Sequence, residues 1–219
     1  MLVSICLGVG VAAAESTQER LNNATALFTE IMATPDRSIP QDLLQKASCI
    51  VLVPGVKKAA FVLGGKYGRG FVTCRKESGA GWGAPGAVRM EGGSFGFQIG
   101  VSSTDVVLLV MNPRGMKKLL SSKFTLGPDA TVAAGPVGRA TSAQTDAFMT
   151  AEILSWSRSK GLFAGISLEG ATLRNDLDEN AAMYGKPYDN KDVVLGNVAP
   201  PKDAAALLKE LSRYSMKKG

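Results

Sequence analysis

The sequence contains no histidine. That absence removes the commonest general base, the usual proton shuttle and the commonest metal ligand together. Aromatic residues make up only 6% of the chain and are not regularly interleaved with the cations, which argues against a stacking platform for nucleic acid. Cysteine is scarce as well, at positions 6, 49 and 74. Two thiols without histidine make a poor metal site, so neither a metal nor a cofactor is expected. Acid is missing from one long stretch: from Leu43 to Lys76 there are seven cations (Lys46, Lys57, Lys58, Lys66, Arg69, Arg75, Lys76) and no Asp or Glu. The chain holds 25 cations and 19 acids, so the net charge of +6 resides in that segment. Such concentration points to an anionic partner.

At 219 residues and 45% hydrophobic content, the chain suits one domain with a good-sized core. Residues 1–14, MLVSICLGVGVAAA, are uncharged and end in small residues, like the apolar region and cleavage site of a signal peptide. They are too short to span a bilayer and lack a basic start, so the reading is a signal segment that either begins upstream of Met1 or is only a remnant, followed by one domain over 15–219. Export to the periplasm or cell envelope is expected. Ile5 stands where a lipoprotein signal needs a small residue before Cys6, which disfavours lipidation there.

Ser16-Thr17-Gln18-Glu19 is a capping-box pattern, and Leu21, Ala24, Phe28 and Ile31 follow at helical spacing, predicting a helix over about 16–33. A short helical turn after Pro40 leads into CIVLVP. The chain then reads as a meander: a strand at Cys49–Val53, a turn at Pro54-Gly55, a strand at Ala59–Leu63, a turn through GGKYGRG, and a strand at Phe71–Arg75. Strands follow at Phe95–Ile99 and Val106–Met111, then a short helix at Pro113–Leu120. Ala147–Trp156 and Leu162–Leu168 read as a hairpin, and Pro201–Tyr214 as a closing helix. The class is α+β, a twisted or partly closed antiparallel sheet with N- and C-terminal flanking helices.

This meander makes two geometric predictions. Cys49 and Cys74 fall on its first and third strands, separated by about twice the ~4.8 Å strand spacing. A disulfide needs Cα atoms within about 7 Å, so two free buried thiols are expected, although an oxidising compartment would permit a bond. Lys57, Lys58, Arg75 and Lys76 should share one end of the sheet, with Lys46, Lys66 and Arg69 at the other. Arg158 and Lys160 add charge at the tip of the later hairpin. The candidate residues for the anionic partner, whether membrane surface, nucleic acid or polyanion, are thus Lys57, Lys58, Arg75, Lys76, Arg158 and Lys160.

Catalytic motifs do not survive inspection. Gly92-Gly93-Ser94-Phe95-Gly96 matches GxSxG, but a strand-like SFGFQIG follows where a helix should begin, and no histidine exists to activate Ser94. GGKYGRG lacks the Lys-Ser/Thr ending of a phosphate loop. Asp105, Glu152 and Glu169 are single carboxylates with no paired partner in sequence.

Four longer stretches in order, GWGAP (81–85), GGSFGFQIGVSSTDVVLLVMN (92–112), GPVGR (135–139) and SRSKGLFAGISLEG (157–170), resemble the SYLF domain family over roughly Leu21 to Gly185. Trp156 stands where that pattern leads one to expect tyrosine. The resemblance implies a phospholipid-binding, non-enzymatic module. Eukaryotic members regulate actin, often beside Src-homology-3 or FYVE domains, whereas this chain resembles the stand-alone exported bacterial type, for which actin is not an expected partner. The expectation is therefore binding of an anionic phospholipid membrane surface, with no nucleic acid. The alternative is a structural or protein-interaction module of the cell envelope.

Overall fold

A reciprocal cap starts the first helix. The Glu19 N–H donates to Ser16 Oγ at 3.2 Å, and the Ser16 N–H donates to Glu19 Oε2 at 2.8 Å. Helix α1 (Thr17–Met32) then buries Leu21, Ala24, Leu27, Phe28 and Ile31 along one face, as the spacing predicts. The computed structural model describes residues 15–34, 36, 38–61, 63–76, 81–95, 100–138, 150–159, 161–166, 168 and 170–215. The signal-like segment 1–14 lies outside them.

After α2 (Gln41–Lys46), the chain forms β1 (Cys49–Phe61), β2 (Leu63–Cys74), β3 (Gly86–Phe95) and β4 (Gly100–Val110). Helix α3 (Pro113–Leu119) and short strands β5 (Lys123–Thr125) and β6 (Val132–Ala134) follow, then β7 (Ile153–Ser159), β8 (Leu162–Gly165) and β9 (Thr172–Asn175). The chain ends with α4 (Leu177–Tyr184), α5 (Asn190–Leu195), a 3₁₀ turn at Lys202–Ala204 and α6 (Ala205–Ser215). The strands make one sheet in the order β5-β9-β3-β2-β1-β4-β7-β6, with β8 also on β7. Every pairing is antiparallel except β6 with β7. The result is the expected α+β class: a curled, open, antiparallel-dominated sheet with flanking helices.

Both faces of the central strands are buried. Inside the curl, Cys49, Val51 and Val53 of β1 join Phe124 of β5 and Ile153 of β7. Those two strands sit near opposite ends of the sheet, so only a curled sheet lets their side chains share one cluster. On the outer face Ile50, Leu52, Phe71, Val107 and Leu109 pack under α1 and α6, against Phe28, Leu207 and Leu211. Double coverage explains why CIVLV and VVLLV run apolar without alternation.

The meander reading is corrected at Pro54-Gly55. These residues lie within β1 as a bulge, where the register to β4 shifts between Val53 and Val56 and that to β2 between Leu52 and Lys57. Gly55 takes φ 59°, and its N–H donates to Asp105 Oδ1 at 2.8 Å. A Pro-Gly pair signals a bulge as readily as a turn, and here the freed donor has a side-chain acceptor. GGKYGRG is likewise strand rather than turn. Two long neighbouring strands replace three short ones, so Cys49 lies directly opposite Cys74, with Cα atoms 3.9 Å apart and a disulfide between them. The expectation of free thiols fails because the second strand that was to separate them does not exist.

Trp156 is fully buried, with its Nε1–H donating to Pro136 O at 2.9 Å and its ring stacked on Phe163 at 6.5 Å between centroids. Gly135 passes under the indole so closely that a Cβ there would fall 2.0 Å from the ring, and one on Gly165 would fall 2.0 Å from Gly135 O. Ser94 lies in β3, with no strand-to-helix elbow.

Candidate anion-binding surface

The register of β1, β2 and β4 decides which cations meet. Lys58 lies directly opposite Lys66, and Lys57 opposite Tyr67. On the other side of β1, Ser102 and Ser103 stand opposite Lys58 and Lys57. Among the described residues, Lys57, Lys58 and Lys66 have no hydrogen-bond or ion-pair partner on their side chains. Like charges directly opposed on neighbouring strands are unfavourable. Tyr67, 48% exposed, shares a face with Lys57, whereas the Lys58–Lys66 pair lies on the other face of the two strands. Beside it Gly65 faces Gly93 in register, and a Cβ on either would meet open space. On the far side of Tyr67 stands Glu91 of β3, which is ion-paired to Arg174 at 3.2 Å rather than to a lysine.

Arg75 and Lys76 do not join Lys57, Lys58 and Lys66. They end β2 beside the disulfide, roughly 25 Å away along the strands at ~3.3 Å per residue. The Arg75 guanidinium lies over the Trp82 ring at 4.2 Å and donates to Leu44 O at 3.0 Å and Ser215 O at 3.4 Å. Trp82 Nε1–H in turn donates to Ser215 Oγ at 3.0 Å. Burial lowers the Arg75 pKa, and its role is to staple α2 and α6 to the sheet. Lys76 is exposed at that same end. The predicted grouping of Arg75 and Lys76 with Lys57 and Lys58 is therefore corrected: the residue that joins the two lysines is Lys66, because the hairpin reverses at 61–63 rather than at 54–55.

Two further cations are held internally. Arg69 binds Asp176 through Nε and Glu179 through Nη2 at 3.0 Å, and its pKa is raised chiefly by the hydrogen bond to Asp176. Glu179 also accepts from the buried Arg20. Arg158 sits within β7 rather than at a hairpin tip, donating through Nε to Asp105 Oδ2 at 2.8 Å and through Nη1 to Glu30. Burial alone would lower its pKa, but the two carboxylates outweigh burial and raise it. Lys160 lies outside the described residues. Among those residues no group of three or more His, Cys, Asp or Glu could hold a metal, and no helix is long and apolar enough to cross a membrane.

A protein-family model described as "Ysc84: Las17-binding protein actin regulator" matches residues 91–214, more than half of the chain. The chain belongs to the Ysc84 family. The SYLF resemblance carried by its glycine-rich motifs is this same family. Among Ysc84 relatives, the chain is 33% identical over 193 residues to SH3 domain-containing YSC84-like protein 1 of Rattus norvegicus, covering 87% of this chain and 56% of that one. It is 33% identical over 169 residues to LAS seventeen-binding protein 3 of Saccharomyces cerevisiae, covering 76% of this chain and 36% of that one. Protein YSC84 of the same yeast matches at 33% over 179 residues, 80% of this chain and 38% of its own. The chain thus spans about half the length of the mammalian relative and little over a third of the yeast ones. These descriptions overturn the expectation that set actin aside: the Ysc84 family is described as an actin regulator, and its yeast member is named for binding Las17.

Proposed function

We propose that this Ysc84 domain is a non-enzymatic module that binds anionic phospholipid surfaces through the Lys57, Lys58 and Lys66 end of the β1–β2 hairpin. The observation that carries the reading is that three lysines at one end of the hairpin have no side-chain partner among the described residues, Lys58 and Lys66 directly opposed on one face and Lys57 on the other. An anionic surface relieves that opposition and gains roughly 1 kcal/mol per lysine near the head groups. Tyr67, half-exposed on the face it shares with Lys57, suits the polar–apolar boundary of a bilayer. The Cys49–Cys74 disulfide supports the companion reading that the protein works in an oxidising compartment after export.

Co-sedimentation with vesicles of neutral lipid, with and without added phosphatidylserine, tests this. Binding should need the anionic lipid and should weaken from about 50 mM to several hundred mM salt, since exposed charges are screened over ~8 Å at physiological ionic strength. Equal binding to neutral vesicles, unchanged by salt, refutes it. The family description supports a second reading, an actin-linked partner, which co-sedimentation with filamentous actin in lipid-free buffer examines separately.

A further inference from the structure

Between the end of α1 and the β7–β8 hairpin lies a groove of about 400 Å³, lined by Ile31, Ala33, Thr34, Phe163, Arg158 and Glu30. Its size falls within the range of small-molecule sites, about 300–1,000 Å³. One side is apolar: Ile31 and Phe163 are buried core residues that show an edge to it, and Ala33 caps the helix above. At the hairpin beside it, Leu162 is 61% exposed, the most exposed large apolar side chain among the described residues. The remaining wall is a cation. Arg158 reaches this groove with its Nε fixed on Asp105 and its outer Nη1 on Glu30.

The two carboxylates are not equivalent. Asp105 is mostly buried and also holds the Gly55 N–H of the bulge, so it belongs to the framework. The Glu30 side chain is 61% exposed and stands in the last turn of α1, where the helix dipole disfavours an acid. Nothing but Arg158 holds it there among the described residues. Glu30 therefore occupies the position of an exchangeable anion on a fixed, always-charged guanidinium at the mouth of an apolar groove.

We infer that this groove binds a single-chain anionic amphiphile, its carboxylate or phosphate displacing Glu30 from Arg158 and its alkyl chain lying along Ile31, Ala33 and Phe163. The inference rests on the lipid-binding reading only for the class of ligand; the site, the monomeric state of the ligand and the residues are different.

The probe is sodium decanoate below its critical micelle concentration, titrated calorimetrically into the full chain, with decanol as the uncharged control. Decanoate should bind saturably at one site, and more tightly than decanol. Glu30→Gln removes the internal competitor and should tighten decanoate about fivefold, the reach of an exposed ion pair. Ala33→Trp fills the groove from a surface position and should abolish the isotherm while leaving the melting temperature unchanged. Absence of saturable binding, or equal affinity in the wild type, Glu30→Gln and Ala33→Trp, overturns the inference. A chain carrying Lys57→Glu, Lys58→Glu and Lys66→Glu should still bind decanoate while losing anionic vesicles. Loss of vesicle binding by the wild type with the decanoate isotherm intact would refute the surface reading alone, and the reverse would refute the groove alone.

Discussion

The two ends of the β1–β2 hairpin are made of different chemistry. At one, a disulfide, a buried tryptophan and an arginine with three neutral partners tie both strands, α2 and α6 into a single knot. At the other, three lysines stand without partners beside exposed tyrosine and two glycines that cover nothing. The contrast teaches that charge alone does not mark a binding surface. Arg75 is as cationic as Lys57, yet its guanidinium is consumed by carbonyls and a ring, whereas the lysines have no side-chain partner among the described residues. Under the proposed function, stability is concentrated at the knot and binding at the open end.

Substitutions at the two ends should therefore separate stability from binding. Trp82→Ala should have the largest effect, about 3–5 kcal/mol of stability measured by urea unfolding, because it empties a buried site and removes the ring under Arg75. Replacing both Cys49 and Cys74 with alanine should cost ~3 kcal/mol, the loop-closure value for a separation of 25 residues. Vesicle binding measured below the melting transition should persist in both. A drop in vesicle affinity at the knot would erase the distinction between the ends.

Changes at the open end should do the opposite. Lys57→Glu, Lys58→Glu and Lys66→Glu together should reduce binding to phosphatidylserine vesicles more than tenfold while moving the melting temperature by no more than a few degrees. The smallest effect sharpens the comparison most. Lys66→Glu alone converts the like-charge pair with Lys58 into an opposite-charge pair, so it should raise stability by about 0.2–1 kcal/mol while weakening vesicle binding. A destabilising outcome would show that Lys66 already has a stabilising partner.

Much of the fold was legible from local signals. The Ser16–Glu19 capping box, the apolar runs of β1 and β4, and the closing helix all lie where spacing and propensity placed them. Register was not legible, and the site depends on register. Pro54-Gly55 and GGKYGRG carry turn residues, but what decides their conformation is Asp105, fifty residues away, accepting from Gly55, and the burial of Val53 and Val56 inside the curl. Two misplaced turns, at Pro54-Gly55 and in GGKYGRG, moved Cys74 from a neighbouring strand to a distant one and exchanged Lys66 for Arg75 and Lys76 in the cluster. The pairing of Arg158 with Glu30 and Asp105 was hidden for the same reason: its partners lie on α1 and β4, far off in sequence. The acid-free run from Leu43 to Lys76 did contain Lys66, the lysine that register sets opposite Lys58.

Beneath Trp156 the backbone of Gly135 leaves no space for even a methyl group, and Gly165 is pressed against Gly135 in turn. Gly135 and Trp156 are thus coupled through the ring, whereas Gly165 is required by the backbone of Gly135 whatever side chains stand at 135 and 156. Alanine at 135 is tolerable only in a chain that has already given up the indole for a smaller ring or an aliphatic group, and a chain that has done so no longer needs the glycine. Their substitutions should be strongly non-additive, with Gly135→Ala costing far less stability when Trp156→Leu precedes it. Sequence drift through this part of the sheet must pass through a weakened intermediate, which would keep the glycine and the tryptophan travelling together.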